Sequence, residues 1–221
     1  MTVCPSRIRP ERIQEMLASY DNTKSSWNDI VVYVADDDPR LEDYKKTLVG
    51  RNLIIGKRRT YVEVNNYIMC EAYPDYPYYS EINDDHIYHT PEWDRILIDE
   101  IDRRGGWGFA CGNTGGLPSG MVTSANIIKA LGFYITPLLK QAYSDDFHKE
   151  LGEACGMFYR VSNVNIEHKH YVFNKAKADE NYLHVTGKEH MEESLEKFNF
   201  WKTNYKQEEV KRILDACRGV N

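Results

Sequence analysis

Residues 30–35, Ile-Val-Val-Tyr-Val-Ala, form a continuous apolar run that is rich in β-branched side chains. A run of this kind, without polar alternation, is typical of a strand that is buried on both faces of a parallel sheet. The pattern around it predicts further strands over 1–4, 53–56 and 78–82 and helices over 9–20, 39–47 and 61–73. Strict alternation of strands and helices predicts right-handed crossovers and a mainly parallel central sheet.

Polar clusters follow these strands at their carboxyl ends, where open α/β sheets bind ligands. The clusters are Pro5-Ser6-Arg7, Asp36-Asp37-Asp38, Lys57-Arg58 and Asn83-Asp84-Asp85. Two adjacent acids directly after a buried strand repel each other unless a cation or water separates them. A hard divalent ion with oxygen ligands is the usual solution. The alternative to a bound ion is that Asp84 and Asp85 form a solvated turn or cap a helix.

The second half of the chain departs from this alternation. Helices are predicted over 91–104 and 124–131 and from Asp145 or Asp146 to Cys155, with a glycine-rich loop over 112–120. A strand over 157–166 leads into Glu167-His168-Lys169-His170, whose two histidines would face the same side. We assign Trp93 and Trp107 to the core and His86 and His89 to a surface loop. Residues 1–185 are predicted to form the main domain, with a helical extension over 186–221 packed on it.

Bulk composition excludes several classes of protein. Of the 221 residues 42% are hydrophobic and 28% are charged, as in an ordinary globular protein. The net charge of -6 argues against a protein that mainly grips nucleic-acid backbone. Five scattered cysteines without CxxC spacing indicate neither a disulfide framework nor a zinc knuckle. Because the sequence has no signal-peptide core and no apolar run of membrane-spanning length, we predict a cytoplasmic location.

Several segments occur in an order that is familiar from one enzyme family. They are Pro5-Ser6-Arg7 with Arg9-Pro10, Val34-Ala35-Asp36-Asp37-Asp38-Pro39, Gly56-Lys57-Arg58-Arg59, Asn83-Asp84-Asp85 with Thr90-Pro91-Glu92-Trp93-Asp94, Leu117-Pro118, Ala130-Leu131-Gly132, Asp145-Asp146, Leu151-Gly152, and Glu167-His168-Lys169-His170 with Lys175 and Asp179. Over residues 1–185 this order resembles a glycosyltransferase of the GT-A fold, close to the family 2-like enzymes of phages and bacteria. The resemblance implies a Rossmann-type α/β sandwich with a mainly parallel sheet and a C-terminal helical tail.

The resemblance also implies a role for individual positions. The donor nucleotide would be bound by Pro5, Ser6, Arg7, Asp36, Asp37, Arg58, Asn83 and Asp84. Mn²⁺ or Mg²⁺ would be bound by Asp85 with His168 or His170, although the usual Asp-x-Asp spacing is replaced here by Asn83-Asp84-Asp85. Asp145, or else Asp146, would deprotonate the acceptor hydroxyl in an inverting transfer.

The implied function is metal-dependent transfer of a sugar from a nucleoside diphosphate sugar, most commonly a UDP-sugar, to an acceptor hydroxyl. Two alternatives stay open. A nucleotidyltransferase would use the same carboxylates, although residues 5–9 lack its glycine-rich phosphate loop. A non-catalytic protein would bind a nucleotide sugar or a protein partner. The acceptor is also open, since a modified DNA base, a glycan or a protein side chain would each fit. Whether the chain forms a homo-oligomer is open as well.

Overall fold

The structure is a computed structural model that describes residues 1–169 and 186–219. Its strands are β1 (Thr2–Pro5), β2 (Ile30–Ala35), β3 (Asn52–Gly56), β4 (Tyr78–Glu81), β5 (His86–Tyr88), β6 (Phe109–Asn113), β7 (Val122–Ser124) and β8 (Phe158–His168). Its helices are α1 (Pro10–Thr23), α2 (Leu41–Thr47), α3 (Tyr61–Asn66), α4 (Trp93–Arg103), α5 (Ala125–Leu131), α6 (Ser144–Cys155), α7 (Lys188–Asn204) and α8 (Lys206–Cys217). A π-helical turn, Tyr67–Ala72, continues α3.

The eight described strands form one sheet in the order β3-β2-β1-β4-β7-β6-β8-β5. β1 lies parallel to β2 and β4, β2 lies parallel to β3, and β6 lies parallel to β8. β7 is antiparallel to both of its neighbours, and β5 is antiparallel to β8. The prediction of a mainly parallel α/β sheet is therefore confirmed.

Both faces of the sheet are covered by helices, as the apolar run of β2 predicts. Every residue of β2 is buried. One face packs on α1 and α4 through residues such as Ile13 and Trp93, and the other packs on α5 and α6 through residues such as Phe147. Trp93 is fully buried as predicted, whereas Trp107 is only half-buried against the core.

The helices α7 and α8 pack on α6. The ring of Trp201 lies 4.7 Å from that of Phe147, and its indole N–H donates to Glu209 at 2.8 Å. The ring of Phe198 stacks on Tyr143, just before α6, at 5.3 Å. These contacts join the helical extension to the core, and the division of the chain at residue 185 stays a prediction. Among the described helices, none combines the length and the apolar character that a membrane span requires.

Candidate functional site

Strand register brings the ends of β1 and β4 together. The two strands run parallel with Thr2 opposite Ser80 and Val3 opposite Glu81. Because the segments after β1 and after β4 leave the sheet in the same direction, Ser6 reaches the acidic turn after β4. Its hydroxyl donates to the Asp84 carboxylate at 2.7 Å. Two clusters that the sequence placed at strand ends thus meet.

Asp84 is held by a buried network rather than left in a solvated turn. The Arg9 guanidinium donates to its second oxygen at 3.1 Å. The Tyr44 hydroxyl lies 2.6 Å from Ser6 Oγ and accepts from the Arg9 backbone N–H at 2.9 Å. Burial raises the pKa of Asp84 to about 6, with Asp85 adding to the rise and Arg9 and Ser6 opposing it. Asp84 therefore anchors the acidic turn, and its contact with ribose stays a prediction.

Asp85, His86 and His168 form a second, buried cluster, which we call the triad. β5 and β8 pair with His86 directly opposite His168, so the two side chains share one face of the sheet. Their ring centroids are 4.8 Å apart, and Asp85 Oδ1 lies 3.3 Å from His168 Nε2. One ligand atom from each of the three residues lies within 4.8 Å of the others.

The charge state of the triad suits a divalent cation. Burial and the neighbouring His168 lower the pKa of His86 to about 3, so the ring is neutral, as a metal ligand must be. His86 Nε2 is buried and has no hydrogen-bond partner within the described part of the chain. His168 Nδ1 lies 3.4 Å from Ser119 Oγ, a contact that would fix the ring with Nε2 directed at Asp85. One carboxylate and two imidazoles form a donor set for a divalent transition ion.

The prediction that His86 lies in a surface loop is wrong, because the side chain is fully buried on β5. His89 is exposed as predicted. Strand β5 has only three residues and begins directly after the acidic pair, which is why periodicity did not reveal it. His170 lies outside the described residues, as do Lys175 and Asp179.

Beside the network, polar side chains that are exposed or half-buried follow the ends of β1, β2 and β3. We call this group, Arg7, Asp36, Asp37 and Arg58, the mouth. Asp37 bonds Arg7 at 3.0 Å, and its second oxygen lies 3.5 Å from Arg58. Asp36 is exposed, and Pro5 and Asn83 are half-buried, Asn83 donating its backbone N–H to His86 Nδ1 at 3.3 Å.

Asp38 fixes the turn between β1 and α1. Its carboxylate accepts from the backbone N–H of Ile8 at 2.9 Å and from that of Arg40 at 2.7 Å. Ile8 lies in the left-handed region, with φ of 54°. Asp38 therefore holds a strained backbone in place and is not among the groups that face the mouth.

Asp145 opens the first turn of α6, beside the triad. The preceding Tyr143 has a φ of 68°, which turns the chain sharply into the helix. The Asp145 side chain is half-buried, and its surroundings raise its pKa to about 7. Burial is the largest cause, the charge of Glu81 adds to it, and His168 and His148 oppose it. Burial also raises the pKa of Asp146. A carboxyl that titrates near neutrality suits a general base.

Three further polar groups near Asp145 are not indicated by the sequence. Glu81, at the end of β4, contacts both Tyr61 of α3 and His148 of α6. A single acid at the end of a strand and a single histidine inside a helix resemble many ordinary positions. The only signal was an acid at the end of a strand whose last residues are buried.

Comparison with known proteins gives a result only at the level of structure. No family model and no curated protein sequence matches the chain. TarS from S. aureus (residues 1–349) aligns with a TM-score of 0.54 and 13% identity over 98% of this chain and 80% of that one. The mannosyltransferase PcManGT from Pyrobaculum calidifontis, in complex with GDP-Man and Mn²⁺, aligns at 0.59 and 10% identity over 99% and 86%.

Glucosyl-3-phosphoglycerate synthase from Mycobacterium tuberculosis, in complex with Mn²⁺, UDP-glucose and phosphoglyceric acid, aligns with a TM-score of 0.61 and 12% identity. The alignment covers 90% of this chain and 79% of that one. The chain therefore has the fold of the GT-A glycosyltransferases, as the order of its motifs predicted. The narrower assignment to family 2-like enzymes of phages and bacteria stays a prediction.

Proposed function

We propose that the protein is a metal-dependent glycosyltransferase that moves a sugar from a nucleoside diphosphate sugar to an acceptor hydroxyl. The observation that carries this proposal is the buried triad of Asp85, His86 and His168 at the ligand-binding edge of a GT-A sheet. Solved neighbours with this fold contain Mn²⁺ together with a nucleotide sugar, which supports the proposal. A cytoplasmic location is part of it.

The triad would hold the ion. Mg²⁺ prefers an octahedral set of oxygens, whereas imidazole nitrogens suit transition ions, so this donor set favours Mn²⁺ over Mg²⁺. A bound divalent ion would stabilise the negative charge that develops on the diphosphate leaving group. Ser119 would orient His168, and the network around Asp84 would fix the backbone from which Asp85 projects.

The mouth would bind the donor. Asp36 and Asp37 offer carboxylates to the hydroxyl and N–H groups of a ribose and base, with uridine the predicted base. Arg7 and Arg58 both contact Asp37 and would supply positive charge to the phosphates of the donor. Pro5, Ser6, Asn83 and Asp84 would form the floor beneath the nucleotide.

Asp145 would act on the acceptor side, and Asp146 is the second candidate. In an inverting transfer, the acceptor hydroxyl gives its proton to the Asp145 carboxylate while its oxygen bonds to the anomeric carbon. The bond from that carbon to the diphosphate breaks, and its electron pair stays on the phosphate oxygen. This step needs a carboxylate that is ionised near neutral pH, which the raised pKa of Asp145 just permits.

Calorimetric titration with UDP and with GDP, with and without Mn²⁺, tests the metal and donor sites together. We expect nucleotide binding that requires Mn²⁺ and is lost in Asp85→Asn and in His86→Gln. The matched control is His89→Gln, an exposed histidine three positions further along the chain. Binding that survives both triad variants, or that never depends on Mn²⁺, would contradict the proposal.

Product analysis separates the proposal from its alternatives. A glycosyltransferase releases a nucleoside diphosphate from a nucleotide sugar, while a nucleotidyltransferase releases pyrophosphate from a nucleoside triphosphate. A binding protein releases neither. We expect the nucleoside diphosphate, formed by the unaltered protein and not by Asp145→Asn.

A further inference from the structure

Glu81 and His148 form a buried polar pair behind the acidic turn. Glu81 is the last residue of β4 and His148 lies in α6, and both side chains are almost completely buried. The Tyr61 hydroxyl donates to Glu81 Oε2 at 3.1 Å. His148 Nδ1 lies 3.3 Å from Glu81 Oε1. The function proposed above uses neither residue.

Counting donors and acceptors shows that this pair needs a proton. His148 Nε2 lies 3.1 Å from the backbone oxygen of Tyr134, which can only accept, so Nε2 carries a hydrogen. In a neutral ring, Nδ1 would then present a lone pair to the oxygen of an ionised Glu81. Neither atom has another hydrogen-bond partner among the described residues. Two buried acceptors in contact are unfavourable, and one proton between them removes the conflict.

The pair lies directly behind Asp145. His148 follows Asp145 by three positions on α6, so the two side chains lie on the same side of the helix. The charges of Glu81 and His148 both act on the Asp145 carboxyl, which is consistent with this placement. The pair therefore ties the first turns of α6 to the end of β4, the strand that leads into the triad.

We propose that Glu81 and His148 share one proton and act as a positioning pair that holds Asp145 at the acceptor side of the site. The positioning role rests on the proposed function, because Asp145 takes the acceptor proton there. The shared proton does not rest on it. During transfer the proton of the pair stays where it is, and only the acceptor proton moves, to Asp145.

Three variants separate the proton from the contact. Glu81→Gln keeps the shape of the side chain, since the amide oxygen accepts from Tyr61 and the amide nitrogen donates to a neutral His148. Glu81→Met has a similar length but forms neither hydrogen bond. Glu196→Met is the matched control, because Glu196 is an exposed acid on α7.

Carbon and nitrogen NMR at pH 7 tests the shared proton without any substrate. In the unaltered protein we expect either a protonated His148 Nδ1 or a protonated Glu81 carboxyl. In Glu81→Gln we expect an unprotonated Nδ1. An ionised Glu81 beside an unprotonated Nδ1 in the unaltered protein would overturn the proposal.

Transfer kinetics test the positioning role. We expect Glu81→Met to lower kcat by about tenfold or more, as small displacements of a catalytic group do, and to leave the donor KM unchanged. Glu81→Gln should restore kcat to within about threefold of the unaltered protein. Equal losses of kcat in the two variants, or a donor KM that rises with the loss of kcat, would overturn the role.

The two proposals fail in distinguishable ways. An unaltered protein that transfers no sugar contradicts the proposed function, whereas the NMR measurement still decides the shared proton. If Glu81→Met does not fold, the NMR comparison of Glu81→Gln with the unaltered protein still decides the shared proton. Glu81→Gln is suited to this comparison because it keeps every hydrogen bond of the pair.

Discussion

Replacement of Arg9 by methionine would remove the cation that neutralises Asp84 inside the protein. The two side chains are 9% and 6% exposed and lie 3.1 Å apart. Arg7, two positions earlier, bonds Asp37 at a similar 3.0 Å, but these side chains are 28% and 48% exposed. The chain thus offers two ion pairs of similar length, one buried and one partly exposed, and Arg7→Met is the matched control.

The magnitude follows from burial. Loss of one partner from a buried ion pair costs about 3–5 kcal/mol, because the other charge stays buried. The pKa of Asp84 is already raised from 3.8 to about 6 with Arg9 present, a difference equivalent to about 3 kcal/mol. Since a further rise lets the carboxyl take up a proton near pH 7, we expect the lower end of the range, about 3 kcal/mol. Arg7→Met should cost no more than about 1 kcal/mol.

The sign of the pH dependence supplies a second test. A carboxyl whose pKa is raised on folding binds its proton more tightly in the native state, so stability falls as pH rises through the interval between the two values. The difference in stability between Arg9→Met and the unaltered protein should therefore shrink from pH 7 to pH 5. The double variant Arg9→Met/Asp84→Asn should recover part of the loss at pH 7.

Urea unfolding followed by tryptophan fluorescence, in EDTA at pH 7 and pH 5, measures these free energies. A loss of about 3 kcal/mol corresponds to a decrease in Tm of about 6–12 °C for a chain of this size. Equal losses for Arg9→Met and Arg7→Met would refute the argument that burial sets the cost. A difference that grows at low pH would refute the sign.

Three further predictions follow from other parts of the structure. Asp145 must be ionised to accept a proton, and its pKa lies at about 7. We therefore expect kcat/KM to fall as pH is lowered below 7. A flat profile from pH 6 to 8 would contradict its role as base. Trp201→Ala should lower the free energy of unfolding by about 3–5 kcal/mol in urea melts, while Phe200→Ala, at an exposed position of the same helix, should change it by less than about 0.5 kcal/mol. Gly120 has a φ of 67° beside the His86 ring, and alanine is strained in that conformation. Gly120→Ala should therefore weaken Mn²⁺ binding, measured by electron paramagnetic resonance. Unchanged affinity would show that the loop does not support the triad.

The sequence predicted the sheet well where local pattern and tertiary packing agree. The β-branched run of 30–35 is a strand buried on both faces, and the polar groups at the ends of β1 and β4 meet as expected. It did not reveal β5 and β7, because three residues are too few to establish an alternation. Both short strands are stabilised by partners that are distant in sequence.

The site was predictable in its residue types but not in its contacts. Neither of two neighbouring arginines carries a sign of which one turns inward. The positive φ of Ile8, fixed by Asp38, makes that choice by directing Arg9 to Asp84 and Arg7 to the mouth. His86 was missed as a member of the triad in the same way, because only the pairing of β5 with β8 brings it opposite the predicted His168.

The stacking of Phe198 on Tyr143 gives the order of synthesis a consequence for the site. The hydrogen bonds described around Asp84 join side chains within residues 6 to 84, which are synthesised before α6 and α7. The turn before Asp145 acquires its aromatic support only when α7 has emerged, and the Phe147 ring awaits Trp201 from that same helix. The acidic turn can therefore be held by its own network before α7 is synthesised, whereas the first turn of α6 lacks its full aromatic packing until then.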